Sequence, residues 1–359
     1  MNKVEKYTLT RFTVELDRTI GDSQISTKHL WMGVLELEDT EGHVGTGFFS
    51  TVAEPLPSLA NLEARFQREL ADDLIGASPF SWTNRLERPR GGNVRQSTFS
   101  PSVEQALWDL QGQILELPLY RLLGGRRDRV PAYASGLDFH LEDDEVSAFY
   151  AHAKKTGFST FKVKVGHPDL DWDVRRLMLV QDAVGPDCQL MADANEAWSP
   201  KEAIRRMHSY RDAGISLYWI EDPCLRDDFE GLRAVSQAVP FTLINGGEYL
   251  SLSGKRQLIE QRAVDVLNIH GSITDGLRIG WFAAEHGIPI SLGNSAFEIG
   301  VHLAAALPEV DWLEYSFLPY NHLLETPIEF HDGYALLPER AGHGLRLAES
   351  ARREYARPT

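Results

Sequence analysis

Cysteine is nearly missing from this 359-residue chain: there are 2, Cys188 and Cys224. That is too few for a disulfide framework, and it argues against a zinc site built on thiolates. The flanking residues place Cys188 at the start of one strand and Cys224 just past the end of another. If those strands are parallel neighbours, the thiols stand about 17 Å apart, five residues at about 3.3 Å each. A bridge needs Cα atoms within about 7 Å, so both thiols are expected free. Long apolar runs are absent as well, and none nears the ~18 residues of a membrane span. The stretch MNKVEKYTLTRFTVEL has neither the apolar segment nor the small-residue cleavage site of a signal peptide. Positive charge is in short supply, with 36 Lys and Arg against 52 Asp and Glu, a net −16. Such a surface repels phosphate backbones and anionic lipid, which argues against nucleic acid and membrane partners. A small anion could bind only where local cations or a metal reverse the field. The expectation is a cytoplasmic protein. Hydrophobic residues at 43% and charged residues at 25% are ordinary globular usage, excluding disordered and fibrous classes.

The length suggests two domains, or a large barrel with an appendage. In the first ~50 residues TLTRFTVEL and WMGVLELED alternate apolar and polar residues, and the Glu41-Gly42 turn leads into HVGTGFF, as in a meander. The intervening DRTIGDSQISTKH is polar and reads as an irregular loop. Helical periodicity follows from Ser58 to Leu74 and from Ser102 to Leu115, where Val103, Ala106, Leu107, Leu110 and Ile114 share a face. From Val130 a different pattern repeats. Short apolar or alternating runs lie at Pro131–Ser135, Thr160–Val165, Gln189–Ala194, Leu217–Asp222, Phe241–Asn245, Val264–His270, Pro289–Leu292 and Trp312–Ser316. Helical patterns such as KEAIRRMHSYRDAG separate them. Eight strand–helix units at a spacing of about 25 residues indicate a (β/α)8 barrel. A doubly wound sheet would carry a glycine-rich phosphate turn after its first strand, and ASGLDFHLED is not one. The expected organisation is an α+β capping domain over 1–128, a barrel over 129–325, and a segment 326–359 that returns to the capping domain. FHDGYALLP in that last segment reads as a hairpin.

Functional groups of such a barrel lie at the C-terminal ends of its strands. Read in order, those ends offer Lys162 and Lys164, Asp193 and Asn195, Glu221, Glu248, His270, Asn294 and Glu314. Three carboxylates at successive ends, Asp193, Glu221 and Glu248, would repel one another unless a cation lay among them. Oxygen ligands with open coordination positions suit Mg²⁺. Lys162 and Lys164 alternate with Phe161, Val163 and Val165, so both can point into the barrel mouth. An ammonium beside a metal and a second lysine has a lowered pKa and can act as a general base. His270, on the sixth strand, lies across the ring from Lys164 and suits a second acid/base.

These residues resemble the mandelate racemase and muconate lactonizing enzyme group of the enolase superfamily. The resemblance runs through ALWDLQGQILELPLYRLLGG, FKVKVG, MADANEAWSP, YWIEDP, GGE, HLAAALP and WLEYSF. It implies a modified barrel with a capping domain, and Mg²⁺ on Asp193, Glu221 and Glu248. Lys164 would be the base that forms an enediolate from a small carboxylate substrate. It further implies that Lys162 polarises the substrate carboxylate, that Asn195 supports the site, and that Glu314 hydrogen-bonds the bound carboxylate. The usual partners on strands six and seven differ here. Where some branches have a second lysine and others an aspartate–histidine pair, this chain has His270 and Asn294. Specificity in that group comes from the capping loop, here residues 17–31, with Arg18, Asp22, Ser23, Lys28 and His29 available. Its polarity suits a hydroxylated acid. Arg88, Arg90 and Arg95 could neutralise a distal carboxylate. The expected activity is dehydration of a sugar acid to a 2-keto-3-deoxy acid. The alternatives are racemisation or epimerisation by 1,1-proton transfer, and a homologue that binds metal and carboxylate without turnover. A homo-oligomer is expected.

Overall fold

The computed structural model describes residues 2–52, 54–81, 99–270, 272–293, 295–318 and 321–355. Arg88, Arg90, Arg95 and Asn294 lie outside the described residues. The alternating segments at the start form an antiparallel sheet in the order β1 (Val4–Gly21), β2 (Ser26–Asp39), β3 (Val44–Thr51). The residues expected as an irregular loop instead continue both strands. Ile20 pairs with Thr27 and Gly21 with Ser26, beyond a register shift between Glu15 and Ile20. Only 22–25 turn, and the Asp22 carboxylate closes the tip by accepting from the backbone N–H of Gln24 (2.7 Å) and of Ile25 (3.0 Å). Polar side chains do not prevent a ribbon whose backbone groups are paired and whose turn is supplied by an Asp.

Helix α1 (Leu59–Phe66) and the long helix α2 (Ser100–Leu115) cover this sheet. The approach of α2 is made possible by glycine. A Cβ on Gly47 would lie 1.8 Å from the Ser102 carbonyl oxygen, and one on Gly45 would lie 2.1 Å from that of Ala106. Val103, Ala106, Leu107 and Leu110 are buried as their periodicity predicts. The neighbouring polar residues are buried too, because they satisfy the outer edge of β3. Asp109 accepts from the Thr46 N–H (2.8 Å) and Gln105 from the Phe48 N–H (2.8 Å).

All eight expected barrel strands are present: β4 (Arg129–Ser135), β5 (Thr160–Lys164), β6 (Gln189–Asp193), β7 (Leu217–Glu221), β8 (Leu243–Gly246), β9 (Val266–Ile269), β10 (Ile290–Leu292) and β11 (Val310–Tyr315). They pair in parallel in chain order, and β11 closes on β4 through Leu313 and Ala132. Between them lie α3 (Asp143–Lys155), α4 (Leu170–Val184), α5 (Pro200–Asp212), α6 (Phe229–Ala238), α7 (Leu252–Glu260), α8 (Ile273–Glu285) and α9 (Gly300–Ala306). The fold is therefore a modified TIM barrel under an α+β cap. Seven helices rather than eight join the strands among the described residues, because the chain after β11 leaves the ring. It forms the hairpin β12 (Phe330–His331) and β13 (Tyr334–Leu336), and β13 pairs antiparallel with the start of β4. From Glu339 the tail reaches the cap, where Glu339 accepts from Tyr120 (2.5 Å) and the Ala341 carbonyl from Gln113 (2.6 Å). There His343 Nε2 is 2.7 Å from the Thr46 carbonyl, Arg346 donates to Asp109 (2.7 Å), and Arg352, on α10 (Glu349–Tyr355), donates to Glu36 (2.6 Å).

Inside the ring the period of two sets the layers. Tyr133, Met191 and Trp219 form a buried floor, with the Tyr133 and Trp219 rings edge to face at 5.3 Å. Two residues further along the same strands, Asp193 and Glu221 reach the mouth, beside Lys162 and Lys164 of β5. Both cysteines are free thiols, and no described helix is long and apolar enough to cross a membrane.

Candidate active site

A cavity of about 450 Å³ opens between the strand ends and the cap, lined by Lys162, Lys164, Asp193, Asn195, Glu248, His270 and Glu314 among others. Lys162 is buried at its base. Its ammonium lies 2.8 Å from Glu221, 3.1 Å from Glu314 and 3.7 Å from Asp193, and 5.3 Å from the centre of the Tyr133 ring beneath. Lys164 donates to Asp193 (2.5 Å) and to the Asn195 side-chain oxygen (3.0 Å). Asp193 also accepts from the Asn195 N–H (2.9 Å), and Glu221 from the Asn268 amide (2.8 Å). The backbone turns sharply after β6 and β7, with φ of 46° at Asn195, 65° at Glu196 and 39° at Asp222. Non-glycine residues in this left-handed region are costly and cluster at functional turns.

Burial works against both ammonium groups, yet the acids around them outweigh it and hold both above the ordinary lysine value, Lys162 far above. For Lys164, Asp193 is the dominant of these neighbours; the lowered value expected at this position presupposes a metal beside it. Burial also opposes charge on the acids. For Asp193 and Glu314 the lysines win and the carboxyls fall below their usual range. For Glu221 burial wins and the carboxyl rises well above it, while burial with the nearby Glu314 pushes Glu248 up to about 7.

Four buried acids, Asp193, Glu221, Glu248 and Glu314, face two lysines, so with every acid ionised the cluster would hold two negative charges in excess, and burial together with this excess lifts Glu221 and Glu248. A divalent cation offsets that excess, and a set of carboxylate oxygens is the donor chemistry a hard cation takes. The residues present therefore fit magnesium in charge and in donor type. Among the described residues no three His, Cys, Asp or Glu side chains form a compact cage. Lys162 and Lys164 are interleaved among the acids.

His270 follows β9, four strands around the ring from β5, and lines the same cavity. Its Nδ1 lies 3.6 Å from Glu248, and its ring meets that of Tyr249 at 5.2 Å. The structure thus brings together Lys162, Lys164, Asp193, Glu221, Glu248, Asn195, Glu314 and His270. Lys28 and His29 do not join them: both are exposed on β2, and His29 stacks on Trp31 at 5.7 Å. Thr27, which pairs with Ile20 beyond the register shift in β1, lines the cavity in their place. Arg18 donates to the carbonyls of Gly136, Ser316 and Phe317, fastening the cap to the barrel rather than lining the cavity.

Sequence reasoning missed several lining residues. Gln24 and Thr27 come from the hairpin, and Ser50, Thr51 and Val52 from the end of β3. Gln24 donates to the Asn195 carbonyl. Arg226, also in the wall, is held by Asp222 (2.6 Å) and Glu196 (3.1 Å) and lies over the Tyr249 ring. Arg226 and Tyr249 were discoverable, since they follow the EDP and GGE strand ends. Ser50, Thr51 and Val52 carry no local signal, because their role depends on how the cap docks.

A closed parallel barrel with acids and lysines at its strand ends, under an α+β cap, defines the enolase type of carbon-acid enzyme. The sequence models agree: "Mandelate racemase / muconate lactonizing enzyme, N-terminal domain" matches residues 12–124, and "Enolase C-terminal domain-like" matches residues 145–351. The chain belongs to the mandelate racemase and muconate lactonizing enzyme group of the enolase superfamily. It is 32% identical over 335 residues to L-talarate/galactarate dehydratase of Salmonella typhimurium LT2, covering 89% of this chain and 81% of that protein. A crystal structure of that dehydratase with Mg and L-lyxarohydroxamate superposes with a TM-score of 0.87 at 29% identity, covering 99% of this chain and 93% of that one. A hydrophobic dipeptide epimerase of Enterococcus faecalis is 33% identical over 293 residues, 76% of this chain and 78% of that protein. A Mesorhizobium loti protein solved as a provisional mandelate racemase is 49% identical with a TM-score of 0.94, covering 99% of this chain and 95% of that one.

Proposed function

We propose that this chain is a magnesium-dependent lyase that takes the α-proton from a sugar acid and expels its β-hydroxyl, yielding a 2-keto-3-deoxy acid. The observation that carries the reading is the buried cluster in which two lysines face four acids at the strand ends. Asp193, Glu221 and Glu248 would hold the metal. Magnesium, when bound, stabilises negative charge on the substrate carboxylate as the α-carbon becomes acidic. Lys162, anchored by Glu221 and Glu314, holds positive charge where that carboxylate lies. With Asp193 committed to a metal, Lys164 would lose the partner that holds it as an ammonium, and as the neutral amine it accepts the α-proton at Nζ. His270, as the imidazolium, gives a proton to the departing hydroxyl, which leaves as water. The hydroxyls of Thr27, Ser50 and Thr51 in the cap wall suit a hydroxylated substrate, and similarity to a talarate/galactarate dehydratase supports the same choice. The reading includes a cytoplasmic homo-oligomer, supported by the acidic composition and by exposed Trp281 and Met178 on the outer helices.

A second reading is favoured by His270 standing across the ring from Lys164. Proton removal on one face and return on the other would racemise or epimerise the α-carbon, and the similarity to a dipeptide epimerase supports it. A panel of acid sugars with Mg²⁺ in D₂O separates the readings. Appearance of a 2-keto acid supports dehydration. α-Deuterium incorporation with inversion and no keto product replaces dehydration with the second reading. Lys164→Ala is expected to abolish either signal, and wild-type protein silent across a full panel would favour binding without turnover.

A further inference from the structure

Of the three acids assigned to the metal, two are held by side chains that touch their carboxyl groups. Asp193 is held by Lys164, and Glu221 by Lys162 and Asn268. Glu248 is different: His270 Nδ1 stands 3.6 Å from its carboxyl, and among the described residues no lysine holds that carboxyl; a lysine holds its main chain instead. It lies in the turn between β8 and α7, where Gly247 adopts φ of 101° and the Leu250 N–H donates to the Gly247 carbonyl (3.2 Å). Lys255, on the first turns of α7, folds back under this turn. Its ammonium donates to the carbonyl of Glu248 (2.8 Å) and to that of Leu250 (2.7 Å).

Lys255 is only 5% exposed, and burying an ammonium carries a desolvation penalty. A leucine would fill this position in the helix without that penalty. What the lysine supplies in return is a charged cross-link between two carbonyls on either side of Tyr249. It fixes the backbone from which the Glu248 carboxyl and the Tyr249 ring enter the cavity. Because it binds main-chain oxygens, Lys255 takes up neither oxygen of the Glu248 carboxylate, whereas Glu221 and Asp193 each commit one to a lysine.

We propose that Lys255 is a positioning residue for Glu248, setting the affinity of the site for magnesium without touching substrate or metal. This rests on the assignment of Glu248 as a metal ligand. Outer partners that orient ligands commonly contribute about 10–100-fold in metal affinity. The test is calorimetric titration of Mg²⁺ alone into metal-free wild type, Lys255→Met and Lys255→Gln, with Glu248→Gln as a reference. Circular dichroism and melting in EDTA establish that each variant is folded at the titration temperature. Lys255→Met is expected to weaken Mg²⁺ binding about 10–100-fold, and Lys255→Gln, which keeps an N–H donor, to weaken it less. A folded Lys255→Met that binds within about twofold of wild type overturns the proposal. If that variant does not fold, Lys255→Gln decides in the same way. Wild type that takes up no Mg²⁺ overturns the metal-site reading itself and this inference with it.

Discussion

His302 makes the stability of this protein sensitive to acid in a way that can be worked out from its surroundings. It is completely buried on α9, where barrel, cap and tail meet. Its Nε2 lies 3.0 Å from the His343 carbonyl, which fixes the neutral tautomer as Nε2–H, and its Nδ1 is buried without a partner among the described residues. A proton added at Nδ1 would find no acceptor. Burial, reinforced by the nearby His343, lowers the pKa to about 3, against about 6.5 in the unfolded chain. Between those values the unfolded state binds the proton and the folded state does not. Stability therefore falls as the pH drops below about 6.5, and the loss levels off near pH 3. At pH 5 the expected contribution is about 1.5 pH units at about 1.4 kcal/mol each, or roughly 2 kcal/mol, and it vanishes at pH 7.5. His302→Gln keeps a donor for the His343 carbonyl and removes the titration. Urea denaturation of both proteins at pH 7.5 and 5.0 reads the effect. The wild type should lose about 2 kcal/mol more than the variant over that interval. Equal losses, within about 0.5 kcal/mol, would refute the reasoning. His343, also lowered by its burial, adds to the acid sensitivity of both proteins and cancels in the comparison.

Further outcomes follow from the same structure. Gly47→Ala should destabilise the cap by about 1–3 kcal/mol or more through collision with the Ser102 carbonyl, seen as a lower urea midpoint, whereas Gly42→Ala, with open space around it but φ of 87°, should act only through backbone strain. Saturating Mg²⁺ should raise the melting temperature, by an amount equivalent to about 2.7 kcal/mol at a hundredfold excess over Kd; unchanged melting with and without EDTA would count against the cation site. Lys28→Ala and His29→Ala should leave kcat/KM within about twofold, because both side chains are exposed away from the cavity. Gln24→Ala should raise KM, since Gln24 lines the cavity and joins the cap to the Asn195 turn; the reverse ranking in steady-state kinetics would restore Lys28 and His29 to the substrate wall.

The barrel was legible because each strand is short, apolar and regularly spaced, and once the strands are placed their ends name Asp193, Glu221 and Glu248 without further information. Lys162 and Lys164 were legible from alternation alone, since a strand enclosed on both sides leaves polar residues nowhere to go but the mouth. The cap wall was not legible. Thr27, which pairs beyond a register shift in β1, lines the cavity where Lys28 and His29 do not, and such a shift leaves no mark in composition. Lys255 was hidden for a related reason. In GKRQLIEQ a lysine on a helix reads as solvated, and only the fold of the turn before it shows two carbonyls waiting. The polar face of α2 carries no local signal for the same reason, because Gln105 and Asp109 serve a strand edge some 60 residues away in the chain.

Tyr133, Met191 and Trp219 plug the ring below the lysines, and the β12–β13 hairpin adds two strands against the start of β4. Among the described residues the cavity is thus closed from below. A molecule that enters from the cap side, beside the hairpin tip that Gln24 and His140 fasten, meets this floor and has to leave by the way it came.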